Sequence, residues 1–112
     1  MPGYFEIKAA KGGKFFFNLV ATNGQTILTS QMYKSKKTAK SGIASVQNNC
    51  KDAERYESKK SSNGKAYFVL KAKNHQVIGK SEMYESDAAC KGGIKSVKNN
   101  GATTKLKDET AS

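Results

Sequence analysis

The sequence predicts an α+β fold in which two β-β-β-α(-β) copies share a single, largely antiparallel sheet. Both helices should lie on one face, and the halves should be related by a pseudo-twofold operation. Three observations carry this. Residues 30–49, SQMYKSKKTAKSGIASVQNN, return fifty-one positions later as SEMYESDAACKGGIKSVKNN, residues 81–100. Residues 5–49 align with 56–100 without a gap, and roughly half of the aligned pairs are identical. Apolar residues alternate at period two ahead of each echo and recur at helical spacing within it. One copy alone holds only a thin core, so the two are expected to pool their apolar faces. The whole chain, 1–112, therefore reads as a single domain of two repeats with a common core, about 4–50 and about 55–108.

Each element has a local signature. The first strand is YFEIKA (4–9) and, in the second copy, RYESKK (55–60). Gly12-Gly13 and Asn63-Gly64 then supply the positive φ of a tight hairpin. The second strand is KFFFNLVA (14–21) and KAYFVLKA (65–72). Phe15, Phe17, Leu19 and Ala21 share one face of it, and Phe16, Asn18 and Val20 share the other. TNGQ (22–25) and KNHQ (73–76) make the next turn, with His75 standing where the first copy has Gly24. The third strand lies near 26–32 and 77–83. Ile27 and Met32 have opposite parity, so a bulge is expected between them.

The helices should start at Ser35 and Ser86, both good N-caps. Ala39, Ile43 and Val46 form one apolar stripe, and Cys90, Ile94 and Val97 its equivalent, with Lys91, Lys95 and Lys98 opposite. Gly42 and Gly93 each cost about 1 kcal/mol of helix propensity relative to alanine, which points to close packing there. Asn48-Asn49 and Asn99-Asn100 end the helices, with Gly101 available as a left-handed C′ residue. TTKLKDE (103–109) reads as one more short strand, and Thr110 to Ser112 should fray. The most buried side chains are expected to be Phe17, Leu19, Phe68, Leu70, Ile43, Ile94, Val46 and Val97.

NGQTILTSQMYKSK with SGIASVQNN, and the echoes NHQVIGKSEMYESD with GGIKSVKNN, resemble the small bacterial YegP-like proteins, a family of unknown function usually found in tandem. The resemblance covers almost the whole chain. It implies a three-strand, helix, strand unit in each copy, with two units forming one sheet and exchanging their C-terminal strands. It implies no activity and no catalytic residues.

Composition narrows the function without naming it. The formal net charge is +11, and Arg55 is the only arginine. Such a balance suits contact with polyanions, but without arginine it does not suit bidentate reading of bases or phosphates. One histidine and two scattered cysteines, Cys50 and Cys90, do not make a metal-ligand pattern, and no cofactor is implied. The cysteines sit at non-equivalent places, so both are read as reduced. No apolar run approaches the roughly 18 residues of a membrane span, and Glu6 and Lys8 interrupt any signal-peptide core. The expectation is a cytoplasmic, monomeric protein with no membrane contact.

Catalysis needs a constellation that the chain does not assemble in sequence. His75 reads as a turn residue, Glu6–Lys8 and Glu57–Lys59 as surface charge pairs, and KGGK (11–14) as a hairpin rather than a phosphate loop. The candidate binding surface is the sheet face away from the helices: Lys8, Phe16, Asn18, Lys59, Tyr67 and Lys71. Aromatic rings among lysines on an open sheet suit either a protein partner, self-association included, or single-stranded nucleic acid. The first is the leading expectation and the second its alternative.

Overall fold

The computed structural model describes residues 3–110. Their order is β1 (Tyr4–Ala10), β2 (Lys14–Val20), β3 (Thr26–Ser30), α1 (Lys36–Asn49), β4 (Tyr56–Lys60), β5 (Ala66–Lys71), β6 (Val77–Lys80), α2 (Asp87–Asn100) and β7 (Leu106–Asp108). The seven strands form one sheet in the order β4-β5-β6-β3-β2-β1-β7. Every neighbouring pair is antiparallel except β1 with β7. The two meanders meet at β3 and β6, where Thr29 faces Lys80, its own repeat equivalent, so the pseudo-twofold axis passes through that pair. One buried cluster draws on β1, β2 and β3, on their counterparts in copy two, and on both helices, which places the helices on the same face.

The turns follow their chemistry. Gly24 (φ 84) and His75 (φ 70) occupy the same left-handed position in the two copies, which a histidine tolerates where a branched residue would not. The expected bulge is present and explains the lost parity of the third strand. Opposite β2, Thr26 pairs with Val20 and Leu28 with Leu19, so Ile27 is an extra residue that turns inward beside Leu28. A second detour follows Ser30, after which Tyr33 pairs again with Phe15. The Ser30 hydroxyl closes the gap: it accepts the Phe17 N–H at 2.9 Å and donates to the Gln31 carbonyl at 2.7 Å. Ser81 repeats this with Phe68 and Glu82.

Ser35 and Ser86 cap the helices by accepting from Thr38 and Ala89 N–H, and Thr38 completes a capping box. A Cβ on Gly42 would lie 2.3 Å from the Tyr33 hydroxyl, and one on Gly93 2.2 Å from that of Tyr84. Those rings stack on Phe17 and Phe68, so the helical glycines are where each helix rests on the sheet. At the far ends Asn49 and Asn100 are buried, their amides donating to the Ser45 and Ser96 carbonyls one turn back. The Asn100 amide oxygen also accepts the Gly3 N–H at 2.8 Å, tying the start of the chain to copy two.

Three expectations are corrected. Gly101 is the C-cap of α2 in right-handed conformation (φ -69), not a left-handed C′ residue. Glycine stands there for space, since a Cβ would fall 2.7 Å from Cys50 Cβ. Ile94 is only half-buried, while Leu28, on the central strand β3, is fully enclosed, as are Phe5 and Ile7, where β7 covers the outer edge of β1. Of the terminal residues expected to fray, 111 and 112 lie outside the described residues, and Thr110 N–H donates to Asp108.

The strands that follow the helices cross between copies. β4, after α1, pairs with β5 of copy two, and β7, after α2, pairs with β1 of copy one. Because β4 is also the first strand of copy two, the crossing is lopsided. The outer edge of β1 is covered by β7, and among the described residues no strand covers the outer edge of β4.

Candidate functional site

The register brings the six candidate residues to the helix-free face. Lys8 stands opposite Phe16, Glu6 opposite Asn18, Glu57 opposite Val69 and Lys59 opposite Tyr67. Phe16 and Tyr67 are repeat equivalents, both half-buried, on opposite sides of the pseudo-twofold axis. Asn18 is not available to a partner. It is buried, its amide nitrogen donates to Glu6 Oε2 at 3.0 Å, and its oxygen accepts the Thr29 hydroxyl at 2.8 Å.

Of the strand lysines of this face, Lys14 at the start of β2 is exposed and has no ion pair among the described residues, and the others are engaged within the chain. Lys8 lies between Glu6 (3.9 Å) and Glu109 (4.0 Å). Lys59 (3.7 Å) and Lys71 share Glu57, and the hydrogen bond from Lys71, with Lys59 nearby, holds the Glu57 carboxyl below its ordinary range. Lys80 lies 4.9 Å from the Tyr67 ring centroid and Lys107 4.6 Å from that of Tyr4. Lys80, Lys107 and Glu109 escape the sequence reading, the last two because they arrive from the chain's far end. That Glu6 recurs as Glu57 beside Lys8 and Lys59 was the available signal.

The helical layer carries unpaired charge. Among the described residues Lys37, Lys40, Lys91 and Lys95 are exposed on the helices without a carboxylate within ion-pair distance. His75 is exposed at its turn. Cys50 and Cys90 are free and buried, and burial pushes both thiols up, away from the thiolate. Burial likewise raises Tyr56, whose hydroxyl donates to the Cys50 carbonyl at 2.5 Å. Tyr56 and Cys50 pack the end of α1 against the sheet, Cys90 lies in the first turn of α2, and His75 stands apart from them.

A family model described as Domain of unknown function (DUF1508) matches residues 10–57 and again residues 61–108. The chain belongs to the DUF1508 family. The YegP resemblance holds at full length. The UPF0339 protein YegP of Escherichia coli K12 is 52% identical over 110 residues, 98% of this chain and 100% of that protein. YegP of Yersinia pestis is 56% identical over 108 residues, 96% of each chain. The solution NMR structure of E. coli YegP, described as a protein of unknown function, matches with a TM-score of 0.94 over 100% of this chain and 97% of that one. That of UPF0339 protein SO3888 from Shewanella oneidensis matches with a TM-score of 0.92 and 49% identity, over 98% and 93%. The matched DUF1508 units begin at the hairpin after β1, so the first runs through β2, β3 and α1 into the start of β4, and the second covers β5, β6, α2 and β7. Seen this way, β4 is the last strand of unit one lying on unit two, and β1 is an added strand that receives β7. Among the described residues, no helix is long and apolar enough to cross a membrane.

Proposed function

We propose that this DUF1508 protein is a cytoplasmic, non-enzymatic, monomeric module that binds another protein through its helix-free sheet face. One observation carries the reading: among the described residues, five of the six strand lysines of that face, all but Lys14 at the start of β2, are engaged by glutamates or aromatic rings. What remains for a partner is an amphipathic surface around Phe16, Tyr67 and Val77 with charge largely offset. That suits a protein surface. It suits single-stranded nucleic acid poorly, since a nucleic-acid platform needs free cations beside open rings and the Tyr67 ring is already under Lys80.

The experiment places a photo-crosslinking residue at position 16 of the intact chain in cells, with a control at position 91 on the helical layer. The expected result is a discrete protein adduct at 16 that is lost on Tyr67→Ala and absent at 91. A nucleic-acid adduct at 16, or none, overturns the reading. Fluorescence anisotropy with single-stranded RNA and DNA at about 150 mM salt is the companion measurement. Phe16→Ala with Tyr67→Ala should leave that weak affinity unchanged, and Lys91→Gln with Lys95→Gln should reduce it. If the aromatic variant instead loses about 1–3 kcal/mol per stacked base, the nucleic-acid alternative takes over.

A further inference from the structure

The two copies are each other's control, and they differ most at one corner. In copy one, at the side of the sheet where β1 meets α1, Ile7 and Ala39 are fully buried and Phe15 is half-buried. Their equivalents are Ser58, Ala66 and Cys90. Loss of a branched aliphatic and an aromatic side chain leaves a pocket of about 380 Å³ walled by Ser58, Lys60, Ala66, Asp87, Cys90 and Lys91. That volume lies within the roughly 300–1,000 Å³ of sites that hold a bound group. The pocket opens beside β4, whose outer edge no strand covers among the described residues.

Copy one also shows what such an edge takes. β7 runs parallel to β1, with Leu106 opposite Phe5, Lys107 opposite Glu6 and Asp108 opposite Ile7. Lys105 C=O accepts from Phe5 N–H at 3.0 Å, and Glu109 N–H donates to Ile7 C=O at 2.9 Å. Asp108 reaches Lys36 at 2.9 Å on the helix side, and Glu109 meets Lys8 on the other. Carried to copy two, the peptide groups of Phe5 and Ile7 become those of Tyr56 and Ser58. Tyr56 N–H is spent on the Ala53 carbonyl, which leaves Tyr56 C=O and both groups of Ser58 for a strand. Glu6 and Lys8 become Glu57 and Lys59. Lys36 becomes Asp87, already paired with Lys60 at 3.1 Å, so an acidic side chain no longer has its cation at the place of Asp108. An aliphatic one has the pocket.

We propose that the β4 edge binds an extended segment of a partner protein, parallel to β4 as β7 is to β1, with an aliphatic side chain in the Ser58–Ala66–Cys90 pocket. An acidic residue follows that side chain and faces Lys59, as Glu109 faces Lys8 in copy one. Main-chain bonds to the edge supply attachment and the pocket supplies choice, the division of labour of strand addition. Lys59 and Lys60 discourage indiscriminate edge pairing, and so sharpen the selection. The inference rests on the protein-interaction reading above only for the class of partner. The site is a different one.

The probe is a synthetic peptide with the sequence of residues 105–110 carrying Asp108→Leu, titrated into the isotope-labelled full chain and followed by NMR. Saturable shifts are expected at Ser58, Lys60, Ala66 and Cys90. The unmodified peptide should bind at least about tenfold more weakly, a difference of about 1.4 kcal/mol. Ser58→Ile with Ala66→Phe refills the corner with the side chains of copy one; it should melt no lower than wild type and no longer bind. If that variant does not fold, Lys59→Glu serves: it should weaken the peptide, and a peptide carrying Glu109→Lys as well should recover. Absence of shifts at about 1 mM peptide, or equal binding by the refilled variant, overturns the proposal. Phe16→Ala with Tyr67→Ala should bind the peptide as wild type does. The edge site and the sheet-face site can therefore fail separately.

Discussion

Replacing Ser81 with alanine deletes one hydroxyl and two hydrogen bonds at a place where the backbone has no substitute. The bulged third strand leaves Phe68 N–H without a ladder partner, and Ser81 Oγ supplies it at 2.9 Å while donating to Glu82 C=O at 2.8 Å. Phe68 is fully buried and Ser81 is 6% exposed, so water does not reach the stranded donor. Glu82 is exposed, and its carbonyl regains water. The loss is therefore that of one buried unsatisfied N–H, roughly 1–3 kcal/mol. Ser30→Ala should cost the same, because Ser30 meets Phe17 N–H at the same 2.9 Å. Urea denaturation at constant m-value measures the loss, and amide hydrogen exchange at Phe68 and Phe17 localises it. A loss below about 0.5 kcal/mol with the Phe68 amide still slow to exchange would refute the reasoning, since the ladder would then close without the hydroxyl.

Two further outcomes follow from the same geometry. Gly93→Ala gains about 1 kcal/mol of helix propensity but drives a methyl to 2.2 Å from the Tyr84 hydroxyl, an overpacking cost of about 1–3 kcal/mol. The melting temperature should fall or at best hold, and a rise of several degrees would show that the stacked ring yields freely. Asp108 is held below the usual carboxylate range, first by the Thr110 hydroxyl and then by Lys36. A carboxyl depressed in the folded state contributes fully above the unfolded aspartate value of about 3.9 and loses that contribution as pH falls through its lower folded value. NMR titration should find Asp108 still ionised at about pH 3.9, with β7 amides losing protection only below it, and an ordinary aspartate titration would contradict the β7–α1 tether.

The features punctuated in both copies were legible: Ser35 and Ser86 start the helices, the asparagine pairs end them, and Gly42 and Gly93 mark the contact with the sheet. Burial of Phe5 and Ile7 was not. Charged neighbours flank them, RYESKK lacks apolar equivalents except Tyr56, and the strand that covers them is a hundred residues away in the chain. The candidate face was legible in its residue types but not in their state. Whether Lys8 or Lys71 is free depends on Glu109 arriving beside one and on Glu57 lying diagonal to the other, and both are matters of sheet register. Asn18 shows the limit most clearly, because outward parity alone does not reveal that Glu6 and Thr29 enclose it.

Where the copies meet, their differences follow a rule that repeat identity alone hides. Residues in contact with their own repeat equivalents lie near the pseudo-twofold axis, where two identical large side chains would collide. Leu28 has Gly79 as its equivalent, and a Cβ on Gly79 would sit 2.9 Å from Leu28 Cγ. Cys50 has Gly101, and a Cβ there would sit 2.7 Å from Cys50 Cβ and 2.8 Å from its sulfur. In each case one copy keeps the bulk and the other gives way, a freedom that a tandem chain has and a symmetric pair of identical chains lacks. The buried Cys50 thiol is then a packing group, and which copy carries it should not matter. Gly101→Cys alone should overpack by about 1–3 kcal/mol, and Cys50→Gly alone should leave a void. Exchanging them, Cys50→Gly with Gly101→Cys, should restore most of the loss, with a coupling of at least about 1 kcal/mol in a double-mutant cycle measured by urea denaturation under reducing conditions. An additive cycle would mean that the Val97 carbonyl, 2.8 Å from a Cβ at position 101, and not Cys50, keeps that position a glycine.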